Sequence, residues 1–117
     1  MRFKLIIAMV DDDKTDLALE TARAKGATGC TVITNARGEG LNPQKTFLGL
    51  SVSGQRDVVL LLVEEHMSRH ILEAIGEACE FEVKPGTGVA FQIDIEDAIG
   101  LGSQMKKIVE EIDEGDL

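Results

Sequence analysis

The residues of this chain best suited to chemistry lie in Gly86-Thr87-Gly88-Val89-Ala90-Phe91, which runs on as Gln92-Ile93-Asp94-Ile95-Glu96-Asp97-Ala98-Ile99-Gly100. Two glycines flanking one residue let backbone N–H groups converge on an anion, because no Cβ restricts φ or blocks the approach. A turn of this kind suits a phosphate or a carboxylate. The side chains that would grip a polyphosphate by charge are absent, since position 89 is Val and positions 100 and 102 are Gly. The sequence offers the shape of an anion cradle without its cationic fingers.

Other candidate chemistry is weaker. His66 and His70 stand four apart, so a helix would place both imidazoles on one face with Glu73 one turn further, a spacing that can chelate a metal. Arg69 and Glu77 share that face, opposite the apolar stripe, so it reads as solvated surface and no metal site is assigned. No Ser-His-Asp or Cys-His arrangement has a supporting context, and paired carboxylates occur only in exposed-looking acidic runs. The chain therefore reads as a non-enzyme. Cys30 and Cys79 are lone cysteines in apolar surroundings and read as small buried hydrophobes, not as a disulfide.

The elements that must position the glycine turn follow a twofold rhythm. Lys4 to Val10 is a continuous apolar run of strand length, bounded by Asp11-Asp12-Asp13. Asp12 or Asp13 can cap the Ala-rich helix that follows, about Lys14 to Lys25, which stops at Gly26. Thr28 to Thr34 is rich in β-branched residues and reads as a second strand. The plan then repeats. Val58 to Val63 is a strand apolar on both faces, as at the centre of a covered sheet. A helix from about Met67 to Glu80 carries the stripe Met67, Ile71, Ile75, Ala78 and Cys79, and Val89 to Ile95 returns as a strand. The order βαββαβ predicts an α+β fold, a ferredoxin-like sandwich whose antiparallel sheet carries two helices on one face.

Composition bounds the function. At 117 residues the chain supports one domain with a single core. The opening Met1 to Val10 reads as a buried strand and not as a leader, since the run ends in three aspartates without a small-residue cleavage pattern. A cytoplasmic protein is expected, without membrane insertion. The net charge of −9 argues against nucleic acid, whose affinity comes mainly from phosphate neutralisation by Lys and Arg. There is no Trp or Tyr to stack on bases. Much of the acidity lies in Glu110-Glu111-Ile112-Asp113-Glu114-Gly115-Asp116, a solvated end. Before it, Met105, Ile108, Val109 and Ile112 share one side of a short C-terminal helix, so that 103–117 reads as helix and acidic tail.

The connection between the halves is long. Arg37 to Asp57 holds glycines at 38, 40, 49 and 54 and a proline at 43. Loops above roughly 12–15 residues inside a compact domain tend to be functional. Phe47, Leu48 and Leu50 supply apolar contacts near its tip, so the segment 38–57 reads as a partner-docking or ligand-gated loop.

Three motifs in this order resemble the PII signalling family. Gly29-Cys30-Thr31-Val32 is similar to the family's Gly-Met-Thr-Val, and Gly38-Glu39-Gly40 to the Gly-Phe-Gly at the base of its T-loop. Gly86-Thr87-Gly88-Val89-Ala90-Phe91 with Ile95-Glu96-Asp97-Ala98-Ile99 resembles Gly-Asp-Gly-Lys-Ile-Phe and Val-Glu-Asp-Ala-Ile. The resemblance spans Lys4 to Ile99. It implies a homotrimer that binds an adenine nucleotide, often with 2-oxoglutarate, in clefts between subunits. It further implies control of a target protein, a metabolic enzyme or membrane transporter of nitrogen or inorganic carbon metabolism, through the T-loop. Ligand residues implied are Thr31, Gly38, Gly40, Gly86, Thr87, Gly88 and Val89.

The departures define this chain. Val89, Gly100 and Gly102 stand where the family has a nucleotide-binding Lys and two Arg. Each lost charge-assisted contact costs roughly 1.5–3 kcal/mol, so ATP held in the usual mode is expected to bind weakly. Lys84, Arg37 and Arg56 are the substitute cations in the sequence. Asn42 or Gln44 stands nearest the T-loop glutamine, and Ser51 and Ser53 are the loop's modifiable hydroxyls. The alternative is a trimeric metal- or small-ligand-binding protein of the CutA type, which has the same architecture. The long connection and Glu96-Asp97-Ala98-Ile99 argue against it.

Overall fold

The computed structural model of the chain describes residues 2–36, 46–47, 50–51 and 55–102. Strand β1 (Phe3–Asp11) passes through a 3-10 turn (Asp12–Lys14) into helix α1 (Thr15–Ala24). Asp12 and Asp13 do not cap α1, contrary to expectation. They are spent in the turn, and no side chain there bonds a helical N–H. Thr15 instead donates its hydroxyl to Asp57 Oδ2 at 2.7 Å, a buried bond that ties the helix start to a distant strand. The helix stops at Gly26 as expected. Gly26 adopts φ 111°, its N–H reaching Arg23 O at 3.1 Å while that of Ala27 reaches Ala22 O at 3.0 Å, which is the paired C-terminal closure that a left-handed residue allows.

Strand β2 (Thr31–Ala36) begins three residues later than its β-branched run suggests. Its pairing shifts between Ile33 and Ala36, so that Thr34 and Asn35 together oppose Asp57. Asn35 takes φ 60° there, a left-handed conformation that Asn tolerates better than most residues. Within the long connection, β3 (Thr46–Phe47) and β4 (Leu50–Ser51) form a small hairpin with Thr46 opposite Ser51 and Phe47 opposite Leu50. Strand β5 (Arg56–Glu64) leads directly into α2 (Glu65–Ala78). This helix starts two residues earlier than expected because the buried Glu64 carboxylate accepts the His66 N–H at 2.8 Å and acts as its cap. Strand β6 (Gly88–Ile95) closes the domain.

The main sheet has the order β2-β5-β1-β6 with every neighbour antiparallel. Two β-α-β units are interleaved, each sending its return strand past the other's first strand, which is the ferredoxin-like arrangement expected. Period-two alternation decides the faces. Ile6, Ala8 and Val10 of β1 and Val59, Leu61 and Val63 of β5 point toward the helices. They pack there with Ala18, Ala22, Ile71, Ile75 and Cys79. Cys79 is buried as expected. Cys30 is exposed, in the segment that leads into the edge strand β2.

Among the described residues, the other face of the sheet carries no helix. The register aligns Leu5 with Leu62 and Ile93, Ile7 with Leu60 and Phe91, and Met9 with Val58 and Val89. Ile33 extends the last row onto β2. Ile33, Phe91 and Ile93 are 50%, 37% and 46% exposed, so the bare face is apolar across all four strands. The expected C-terminal helix and acidic tail, 103–117, lie outside the described residues. Among those described, no helix is long and apolar enough to cross a membrane.

Candidate functional site

One end of the sheet gathers the base of the long connection and the glycine turn. Ala36 pairs with Arg56 and Arg56 with Asp11, and the Asp11 N–H donates to Thr87 O at 3.2 Å. Four chain segments therefore meet in one transverse row. Arg56 lies in its middle, only 6% exposed. Its Nη1 forms an ion pair with Asp11 Oδ1 and donates to Gln55 O at 3.0 Å. Burial pushes the Asp11 carboxyl above its ordinary value, while the Arg56 guanidinium pulls it back. Nothing in the sequence assigns Arg56 a place. The strand register supplies it, since only the antiparallel pairing of β1 and β5 brings positions 11 and 56 together.

The glycine turn is built by the end of α2. Beyond Cys79, Glu80 takes φ 60°, its N–H reaching Glu77 O at 3.2 Å while that of Phe81 reaches Gly76 O at 3.0 Å. The closure is the same as after α1, here with Glu where glycine is usual. Gly86 follows at φ 87°. The Thr87 hydroxyl donates to Lys84 O at 2.8 Å, with Glu80 O at 3.3 Å, and its N–H also reaches Lys84 O, at 3.3 Å. Both donors of Thr87 are thus turned onto the preceding segment. Gly88 has a packing reason of its own, because the ring of Phe81 occupies the space where its Cβ would be. Lys84 is exposed and pairs with Glu80 at 2.9 Å, which holds the glutamate below, and the lysine above, its ordinary value.

Of the residues singled out from the sequence, Gly86, Thr87, Gly88 and Val89 come together beside Asp11 and Arg56. Thr31 does not join them. It opens β2 at one edge of the sheet, whereas β6 forms the other edge. Three strand spacings separate them, roughly 14 Å. Within one chain, Thr31 and the glycine turn are not brought together. Phe47 and Leu50 are backbone partners in the small hairpin. Gly38, Gly40, Arg37 and Leu48 lie outside the described residues.

His66 is engaged at the start of α2. His66 Nδ1 lies 2.5 Å from Glu64 Oε1, and Arg69 Nε donates to Glu73 at 2.7 Å. Among the described residues, only Glu64, Glu65 and His66 bring three ligand atoms within 4.8 Å of one another. They surround the N-terminus of α2, whose positive end opposes a cation, and both Glu64 oxygens already serve His66.

Comparison with solved structures agrees with this architecture. CPII from Thiomonas intermedia K12 bound to ADP, AMP and acetate superposes with a TM-score of 0.64 at 19% identity, covering 84% of this chain and 90% of that one. The same protein bound to ADP and bicarbonate gives 0.62 at 21% identity, with 81% and 87% covered. A putative PII-like signalling protein from Thermus thermophilus gives 0.61 at 22% identity, with 81% and 88% covered. No protein of curated function matches the sequence. The family model described as nitrogen regulatory protein P-II matches residues 3–113, nearly the whole length, and the chain therefore belongs to the PII family of signalling proteins.

Proposed function

We propose that this protein is a cytoplasmic, non-enzymatic PII-like regulator. It senses a small anionic ligand between subunits and controls a target enzyme or membrane transporter through the connection spanning 38–57. The observation that carries this reading is the transverse row Ala36, Arg56, Asp11 and Thr87, which joins the base of the connection to the glycine turn. A ligand held at the turn would act on the Asp11–Arg56 pair, and so on the point where the connection leaves the sheet. Arg56 is the buried cation of that row, paired with Asp11. Lys84 is the exposed cation of the turn itself, and a guanidinium recognises carboxylate and phosphate oxygens alike.

Two features support assembly of copies. Thr31 and the turn occupy opposite edges of the sheet, and the face that no described helix covers is apolar across four strands. Burial of that face in a homotrimer would remove the exposed hydrophobic area and bring one chain's Thr31 edge toward another's turn. The solved relative bound to ADP with bicarbonate or acetate motivates the ligands to try.

The test is calorimetric titration of the full chain with ADP, AMP, ATP, cyclic AMP, cyclic di-AMP, bicarbonate and acetate, with and without magnesium and 2-oxoglutarate, beside sedimentation. Binding of a small anion or nucleoside monophosphate by a trimer, lost in Arg56→Met, is expected. A monomer at micromolar concentration, or tight ATP binding indifferent to Arg56, overturns the reading.

A further inference from the structure

His66 and His70 both lie within α2, four residues apart, so their side chains leave one face of the helix with Cβ atoms about 5–6 Å apart. By spacing alone the pair reads as solvated surface. The structure adds Glu64, whose side chain is only 2% exposed. Its carboxylate accepts the His66 N–H at 2.8 Å and meets the ring nitrogen Nδ1 at 2.5 Å. An ionised carboxylate only accepts, so the proton lies on Nδ1 and the lone pair of the neutral ring on Nε2. The imidazole is 77% exposed. Arg69, the cation between the two histidines, is turned onto Glu73, to which it donates at 2.7 Å.

We propose that His66 Nε2 and His70 together hold one divalent first-row transition ion, such as zinc, with Glu64 as the residue that positions His66. Imidazole nitrogen suits these ions, whereas calcium and magnesium take oxygen ligands. A ligating histidine commonly donates its other ring N–H to a carboxylate, which fixes the tautomer and makes the ligating nitrogen more basic. Glu64 makes that bond here, and with both oxygens engaged on His66 it supports the ligand without being one. The positive end of α2 weighs against a cation, but that effect fades within the first turn. His70 draws the ion into the second turn, and the carboxylates of Glu64 and Glu65 lie close to His66. Water completes the coordination.

This site is separate from the ligand reading above. Glu64 pairs with Phe3 and Arg56 with Asp11, and the eight residues between them along β1 span roughly 26 Å. The two regions thus occupy opposite ends of the sheet. Helix α2 also covers the face opposite the apolar one, so assembly through the apolar face leaves the histidines in solvent. An ion held by both rings joins the first turn of α2 to the second and should raise the melting point.

Calorimetric titration of the full chain with zinc chloride, beside nitrogen–proton correlation spectra of the histidine rings, tests the proposal. One zinc per chain at micromolar affinity is expected, with both rings shifting and the His66 proton staying on Nδ1. His66→Gln and His70→Gln should each weaken binding at least tenfold, and Glu64→Gln to a similar degree. In Glu64→Gln the His66 ring should also lose its single tautomer, a change that loss of the helix cap alone does not produce. Cys30 is an exposed thiol, so Cys30→Ser is titrated as well and should bind as the parent does. Circular dichroism melts without metal confirm that each variant folds, and His70→Gln alters only an exposed side chain. Zinc binding abolished by Cys30→Ser overturns the proposal, since the thiol would then hold the ion. So does full affinity in His70→Gln, which would leave the ion on Glu64, Glu65 and His66. Full affinity in Glu64→Gln removes its positioning role, and magnesium bound as tightly as zinc overturns the imidazole site.

Discussion

A Cβ added to Gly88 would stand 2.2 Å from the ring of Phe81. The glycine that looks placed for a ligand is therefore also demanded by packing. Phe81 follows the left-handed closure of α2 and lies against the hydrophobic core, and its ring takes the volume a side chain at 88 would need. The proposed ligand role and core packing meet at this residue, and a substitution separates them only if stability is measured alongside affinity.

Gly88→Ala is expected to destabilise the fold by about 1–3 kcal/mol, the usual cost of forcing atoms into filled space. Phe81→Leu should recover part of that loss when combined with Gly88→Ala, although alone it costs stability. Urea unfolding of the two single variants and the double one measures this coupling. Strictly additive losses would mean that the ring and the added methyl never meet.

Glu80→Gly is expected to stabilise the protein. Glu80 occupies the left-handed position at φ 60°, where a side chain costs on the order of 1 kcal/mol that glycine does not. The substitution also removes the pair with Lys84. That pair is exposed and screened by solvent, so the backbone term should win. Thermal unfolding of Glu80→Gly beside Lys84→Met tests the ranking. A lower melting point for Glu80→Gly would show that the side-chain pair outweighs the backbone strain.

The elements are legible in the sequence where one physical requirement dominates. Val58 to Val63 is apolar at every position because both faces of a central strand are covered or apolar, and Gly26 stops α1 because the closure needs positive φ. The start of α2 is not legible because its cap is Glu64, a residue seldom used so, held in place by burial beneath His66. Asn35 hides the bulge at the base of the connection, since its left-handed φ depends on the pairing with β5. The site is legible in its glycines but not in its geometry. Nothing local places Thr31 and Gly88 on opposite edges of the sheet or sets Arg56 beside Asp11, because both follow from strand order. In the sequence Gly88 shows its backbone freedom alone, since the ring that fills its side-chain space belongs to a residue whose position depends on the closure of α2.

Restoring the family's charges should restore affinity for ATP in proportion to the room available. A Cβ at Gly102 meets nothing within 4 Å, so Gly102→Arg is accommodated without strain, and Val89→Lys adds a second cation beside the turn. One charge-assisted contact contributes about 1.5–3 kcal/mol, which is roughly tenfold to a hundredfold in affinity. Gly100→Arg has equal room but a φ of 98°, so it should gain less and destabilise the chain. Calorimetric titration with ATP checks the order. Micromolar ATP binding by the parent chain would remove the premise that its lost cations matter.

The Asp11 carboxyl should leave a signature in the pH dependence of stability. Burial raises its pKa above the ordinary 3.8, with Arg56 opposing, so over that interval the folded chain binds more protons than the unfolded one. Its contribution favours the fold fully below about 3.8 and is lost as pH rises through the folded midpoint. Arg56→Met removes the opposing charge, which should move the midpoint further up and deepen the loss of stability toward neutral pH. Asp11→Asn should flatten that segment of the curve. Carboxyl chemical shifts report the midpoint directly, and urea unfolding from acidic to neutral pH reports the linkage. An Asp11 midpoint below 3.8, or one that falls in Arg56→Met, would mean that attraction to the guanidinium prevails over burial at this end of the sheet.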